Sequence, residues 1–470
     1  MISRARVPKL LAAVAGAVFF ALAVTRRLNF DETLALRSGW LDLAGEDSAP
    51  AFLMPWTLLA GAVGHVLSDA GSVFVTLRLL AAGGVAYAYA LALRAASVSV
   101  VGLAAVAGLA LANAAFATHA LEFRYDAAVL ILLLVAYRLL VLGSSPLVLG
   151  AVAGILSLHH LKGAYYAAGV AVILLLVSAD RRRDLRRFAA GMTAALAVWT
   201  VLLLSLGLLG RQMESLRAFY TRAASAERAS LMETLGPTLR RDLAWWLLVM
   251  TAIVRVVLLR QRGPGECRDI VAIALAALGI GFWIIHPHAW AYLAALPVPF
   301  LLIYASRAFD GGWKALRWPI LAASGGVVLQ LASAAPAPLA HLTQAFAAPM
   351  ANEVTMLRAL RQEAKPKDRV LDPSGVVYFV LPCIPQWYLD SLYLERMTAG
   401  DWMRELQPGL PGACTLVLDT YRIRALPPET KRAFGRDFRL LASGLAVRQD
   451  RLLSAELENA PGSGSVESFW

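Results

Sequence analysis

LLAAVAGAVFFALAVTRRLNFDET, residues 10–33, is the stretch on which the fold turns. Leu10 to Thr25 carry no charge, and at 1.5 Å per residue they cover about 24 Å of the roughly 30 Å of hydrocarbon in a bilayer. Asp31 and Glu32 follow at once, in Asn29-Phe30-Asp31-Glu32-Thr33, where the chain should leave the membrane. Carboxylates so near hydrocarbon are costly unless they face water or a partner, so the adjacent pair marks a place for chemistry.

Of 470 residues 59% are hydrophobic and 16% charged, and the mean hydropathy is +0.62. A soluble domain of this size does not have that composition; a polytopic membrane protein does. The formal charge of +12 could point to nucleic acid. The basic residues, however, fall in short clusters between apolar spans, as the positive-inside rule expects, which argues for membrane lipids and no nucleic acid as partners. The only lysines are Lys9, Lys162, Lys314, Lys365, Lys367 and Lys431. Arginine dominance with abundant Ala suggests a GC-rich bacterial genome.

Apolar runs stand near Leu10 to Thr25, Val73 to Leu93, Val98 to Phe116, Ala127 to Leu142, Pro146 to Leu161 and Ala164 to Ser178. Others stand near Phe188 to Leu209, Leu243 to Leu259, Ile270 to Ile285, Trp290 to Ala305 and Pro319 to Ala335. They predict about eleven transmembrane helices. Four basic clusters then share one side: Arg4, Arg6 and Lys9; Arg181, Arg182, Arg183, Arg186 and Arg187; Arg260, Arg262 and Arg268; Arg307, Lys314 and Arg317. That side is cytoplasmic, which places the Asp31 loop and everything after the eleventh span in the periplasm of a bacterial inner membrane. A cleaved signal peptide is the competing view of the first span, with Ala21-Leu22-Ala23 as a small-residue site. Retention is favoured, because further spans follow and the carboxylate pair would lose its anchor on cleavage.

Two periplasmic loops interrupt the spans, at 28–72 and 210–242. The first, broken by Pro50 and Pro55, reads as interfacial amphipathic helices. The second mixes Arg211, Arg217, Arg222, Arg228, Arg240 and Arg241 with Glu214, Glu227, Glu233 and Asp242, against the positive-inside bias. Residues 1–340 thus form a membrane domain, and residues 341–470 a small soluble periplasmic α/β domain. In the latter, helical patterns at Glu353 to Glu363 and Pro427 to Asp437 alternate with strand-like runs at Val370 to Leu371, Val376 to Leu381 and Thr415 to Leu418. Pro461 to Ser465 reads as a disordered tail. Cys383 and Cys414 stand either as two buried thiols or as a bridge, which would close a loop of about 30 residues for roughly 3 kcal/mol. Cys267 falls on the reducing side.

This arrangement resembles the GT-C glycosyltransferases, in particular the protein O-mannosyltransferases and lipid A aminoarabinose transferases, which take a sugar from a polyprenyl phosphate. Phe30-Asp31-Glu32 is similar to the family's Asp-Glu motif in the first extracytoplasmic loop. Pro50 to Leu67 is similar to the proline-containing stretch that follows it, although the usual Pro-Pro pair is absent. Arg78 in Thr76-Leu77-Arg78-Leu79 resembles the arginine opening the second span. Arg124-Tyr125-Asp126 resembles the Arg and Asp between the third and fourth spans, and Leu161-Lys162-Gly163 the Lys-Gly segment closing the fifth. His286-Pro287-His288 with Tyr292, Pro297 and Pro299 resembles the late Tyr, Pro, Pro span. The resemblance covers roughly the first 335 residues, and its strength lies in the order and common membrane side of the motifs.

It implies a GT-C-like catalytic domain over residues 1–340, with a polyprenyl-phosphate sugar as donor and a lipid, glycan or protein as periplasmic acceptor. Such a transfer needs a carboxylate to take the acceptor's proton and cations to hold the phosphate as charge develops on it. Asp31 is the expected base, with Glu32 orienting it or the acceptor. Lys162 and Arg78 are the expected phosphate cations; the competing view of Lys162 is snorkelling to the headgroups. Asp126 either positions substrate or pairs structurally with Arg124. His286 and His288 either meet phosphate or a metal, or are ordinary boundary residues beside Trp290. His159 and His160, with Asp31 or Asp126, would suit a divalent metal, though no cofactor is required by the sequence. Arg217, Tyr220 and Arg222 either clamp the donor or belong to a helix lying on anionic headgroups. The alternative function is a lipid or glycan transporter or flippase. Its ionisable groups would lie near the bilayer midplane, whereas here, Arg255 apart, they gather at one end of the spans.

Overall fold

The computed structural model describes residues 6–45, 54–214, 216, 231–258, 266–286, 291–309, 317–347, 350–365, 368–372, 377–383, 414–418, 432, 438–440 and 445–448. The chain divides into two compact units. One comprises Met1–Arg26, Met54–Trp56 and Val75–Pro349; the other comprises Arg27–Leu53, Thr57–Phe74 and Met350–Trp470. Most of the early loop, expected within the membrane domain, is thus grouped with the C-terminal part of the chain.

In chain order the helices are α1 (Arg6–Thr25), α2 (Phe30–Leu43), α3 (Pro55–Val66), α4 (Ala70–Ala95), α5 (Val100–Ala112) and α6 (Ala114–His119). There follow α7 (Tyr125–Val141), α8 (Pro146–Ser157), α9 (His160–Val177), α10 (Arg181–Ser205), α11 (Leu231–Arg241) and α12 (Leu243–Leu258). The last are α13 (Glu266–Ile285), α14 (Val298–Ala305), α15 (Arg317–Ala332), α16 (Ala340–Ala347) and α17 (Ala351–Glu363). Among the described residues four stretches are long and apolar enough to cross a membrane: Ala70–Ala95, Arg181–Ser205, Cys267–Ile285 and Tyr292–Phe309. Shorter apolar helices cover Lys9–Thr25, Val100–Ala112, Pro146–Ser157, Lys162–Val177 and Leu243–Leu258.

In the first unit apolar side chains point outward as well as inward. Val198, Val201 and Leu204 on α10, Val172 and Leu176 on α9, and Val328 and Leu329 on α15 are all exposed. Water penalises such a surface and lipid does not, so the helices carry a hydrocarbon-facing exterior. Where α8 and α10 cross, the backbones touch. A Cβ on Gly150 would lie 1.9 Å from the Phe188 carbonyl oxygen, and one on Gly191 would lie 1.9 Å from that of Leu147. This is the close packing that small residues allow between helices in lipid.

Two expected spans are broken, each for a local reason. Val98 to Phe116 becomes α5 and α6 because Asn113 serves both. Its N–H donates to Leu109 at 3.1 Å and its side-chain oxygen accepts from the Phe116 N–H at 2.9 Å. Trp290 to Ala305 becomes a 3-10 turn, Ala291–Ala295, followed by α14. Pro297 stands at the N-cap and Pro299 in the first turn, where a missing N–H is tolerated.

The second unit holds α2, most of α3, α17 and a five-stranded sheet of order β2-β1-β3-β5-β4. The strands are β1 (Arg369–Leu371), β2 (Leu381–Pro382), β3 (Leu416–Leu418), β4 (Phe438–Leu440) and β5 (Leu445–Arg448). β1 runs parallel to β2 and β3, and β5 antiparallel to β3 and β4, with Val370 opposite Leu416 and Val417 opposite Ala446. Cys383, just after β2, forms a disulfide with Cys414, just before β3. The helix expected at Pro427 to Asp437, Arg432 excepted, and the tail lie outside the described residues.

Candidate active site

The first unit assembles a buried group of charged residues around the turn between α6 and α7. Arg124 is the N-cap of α7, and Asp126 lies in that helix's first turn, where a carboxylate complements the helix dipole. Lys162, in the first turn of α9, donates through Nζ to Asp126 Oδ1. Arg124 Nε lies 3.4 Å from Asp126 Oδ2. The Arg124 guanidinium sits 4.0 Å above the Tyr292 ring, and Lys162 Nζ is 4.8 Å from the Tyr125 ring and 5.1 Å from that of Tyr292. Four residues singled out from the sequence, Arg124, Asp126, Lys162 and Tyr292, therefore meet. Lys162 is 3% exposed, its ammonium turned to Asp126 and away from the exterior of the unit. The Arg124–Asp126 pairing weighed from sequence is present, with Lys162 joined to it.

Arg78 is fully buried on α4. Its Nη1 donates to the Ala23 carbonyl at 3.3 Å and to that of Arg26, fastening the end of α1.

Glu122, His119 and Arg26 are functional candidates that the sequence reading passed over. Glu122, 1% exposed, meets Arg26 Nη1 at 2.8 Å, His119 Nδ1 at 2.9 Å and Arg124 Nη1 at 3.3 Å. Burial alone would raise its carboxyl, but His119, Arg26 and Arg124 hold it well below the usual carboxylate range. Burial lowers His119 against the pull of Glu122, so the neutral ring donates from Nδ1. Glu122-x-Arg124-x-Asp126, three charges at alternate positions in an apolar setting, was the available signal.

The remaining expectations fall elsewhere. Asp31 lies in the first turn of α2, in the second unit, and its side chain lies outside the described residues. Glu32 is buried, and its Oε2 accepts from the Asn29 N–H at 2.9 Å. Asn29 at the N-cap and Glu32 three residues on thus form the returning half of a capping box that fixes the turn bearing Asp31. His286 follows directly on α13, with its ring 5.6 Å from that of Phe282. His159 is buried, with Nδ1 2.8 Å from the Ile155 carbonyl oxygen. Arg217, Tyr220, Arg222 and His288, and the side chain of His160, lie outside the described residues. Among the described residues no group of three or more His, Cys, Asp or Glu side chains could hold a metal.

By sequence, no family model and no curated protein matches the chain. By structure, the chain is similar to ArnT from Cupriavidus metallidurans. Against the crystal structure bound to undecaprenyl phosphate the TM-score is 0.61 at 15% identity, covering 93% of this chain and 97% of the other. Against the apo state the TM-score is 0.60 at 16% identity, with the same coverage. Along nearly its whole length the chain therefore has the GT-C fold of ArnT, the lipid A aminoarabinose transferase.

Proposed function

We propose that the chain is an integral membrane glycosyltransferase that moves a sugar from a polyprenyl phosphate to an extracytoplasmic lipid, glycan or protein. The observation that carries this is the meeting of Arg124 and Lys162 over Tyr292, both ion-paired with Asp126, in a chain with the fold of a protein solved with undecaprenyl phosphate. Planar guanidinium and point-charge ammonium groups suit phosphate oxygens, and a low-dielectric site strengthens their pull on a leaving phosphate.

In the proposed reaction an acceptor hydroxyl attacks the anomeric carbon. The new C–O bond forms as the bond from that carbon to the phosphate oxygen breaks, and the electron pair leaves with polyprenyl phosphate. The acceptor's proton passes to Asp31. Glu32 acts by fixing the first turn of α2, while Lys162 and Arg78 neutralise the departing phosphate. About eleven spans in an inner membrane, an N-terminus in the cytoplasm and an α/β domain at residues 341–470 on the opposite side complete the proposed architecture.

The test is Asp31→Asn, nearly isosteric and cheaper to hold near a membrane. Turnover is expected to fall by roughly 10² to 10⁴, the usual contribution of a positioned base, with the protein still folded. Undiminished turnover in folded protein rules out Asp31 as the base.

A further inference from the structure

Glu122 is a buried anion among groups expected to receive an anionic substrate, and the donor chemistry gives it no role. Its two oxygens accept from three side chains on different parts of the fold: Arg26 after α1, His119 at the end of α6 and Arg124 at the start of α7. Arg26 Nη1 also donates to the Thr118 carbonyl, and the Arg26 carbonyl in turn accepts from Arg78. One carboxylate therefore ties the end of α1, and through it the Arg78 guanidinium on α4, to the turn that carries Arg124.

We propose that Glu122 is a positioning residue for the donor phosphate. It holds the Arg124 guanidinium, and through Arg26 that of Arg78, in the orientation that meets the phosphate; this rests on the donor reading above. An ionised carboxylate suits the task because it only accepts hydrogen bonds and has two oxygens to share among donors. A glutamine there keeps one acceptor oxygen and turns an NH₂ group towards N–H donors.

The direction of the effect provides the test. On Coulomb grounds alone, removing a negative charge beside a phosphate site tightens phosphate binding. Loss of positioning weakens it. Full-length Glu122→Gln in nanodiscs is titrated with undecaprenyl phosphate and with undecaprenol, the neutral alcohol of the same chain. The Kd for undecaprenyl phosphate is expected to rise about tenfold, while that for undecaprenol stays unchanged. Equal or tighter phosphate binding overturns the proposal, and so does equal weakening for both lipids, which signals general damage. Glu122→Asp keeps the charge but draws it back by one methylene, and guards against a glutamine variant that does not fold. It is expected to weaken phosphate binding several-fold, and wild-type affinity there also overturns the proposal. Wild-type protein that does not prefer the phosphate to the alcohol overturns the donor reading itself, a separate failure.

Discussion

Replacing Lys162 with Met keeps most of the stem volume and removes the charge that Asp126 faces. Breaking a buried ion pair from one side costs roughly 3 to 5 kcal/mol, because the remaining charge is left in low dielectric. Arg124 Nε still lies 3.4 Å from Asp126 Oδ2, which puts the expected loss at the lower end, about 3 kcal/mol. Asp126→Asn leaves the ammonium near the Tyr125 and Tyr292 rings, whose faces return about 1 kcal/mol of that loss. The double variant carries neither charge and should be more stable than the sum of the singles implies, with a coupling of about 1.5 to 3 kcal/mol. Unfolding in mixed micelles measures the cycle, and titration with undecaprenyl phosphate measures the second consequence, weaker phosphate binding in Lys162→Met. Strictly additive singles together with wild-type affinity would refute the reasoning.

Gly39→Ala should destabilise by about 3 kcal/mol or more, since its Cβ would lie 1.8 Å from the Thr57 carbonyl oxygen where α2 crosses α3; Gly16→Ala, in open space on α1, is the control. In spheroplasts an impermeant maleimide should reach the half-buried Cys383 only after reduction, and the exposed Cys267 only after permeabilisation. Labelling of Cys267 from outside would contradict the proposed orientation.

The apolar helices were legible because an apolar run is a one-dimensional signal. The break at Asn113 was not, since one Asn in an apolar run is tolerated unless both neighbouring helix ends use it as a cap. Nor was the second unit, in which α17 is fastened to the start of α4 by a bidentate ion pair between Arg358 and Asp69. No periodicity announces a contact across so much chain. Arg124, Asp126, Lys162 and Tyr292 stood out because ionisable and aromatic groups at span ends are few and costly. Arg26 and His119 carry no motif, and only their convergence on Glu122 in three dimensions singles them out. Glu32 drew notice as half of an acidic pair, yet Asn29-x-x-Glu32 already spelled the cap it forms.

The most direct measurement of the central claim is mass spectrometry of envelope lipids, glycans and glycoproteins from a strain lacking the chain. A polyprenyl-phosphate sugar should accumulate and one sugar should disappear from one envelope acceptor, both restored by the wild-type chain and by neither Asp31→Asn nor Lys162→Met. An unchanged donor-lipid pool with every envelope glycan intact would contradict the claim.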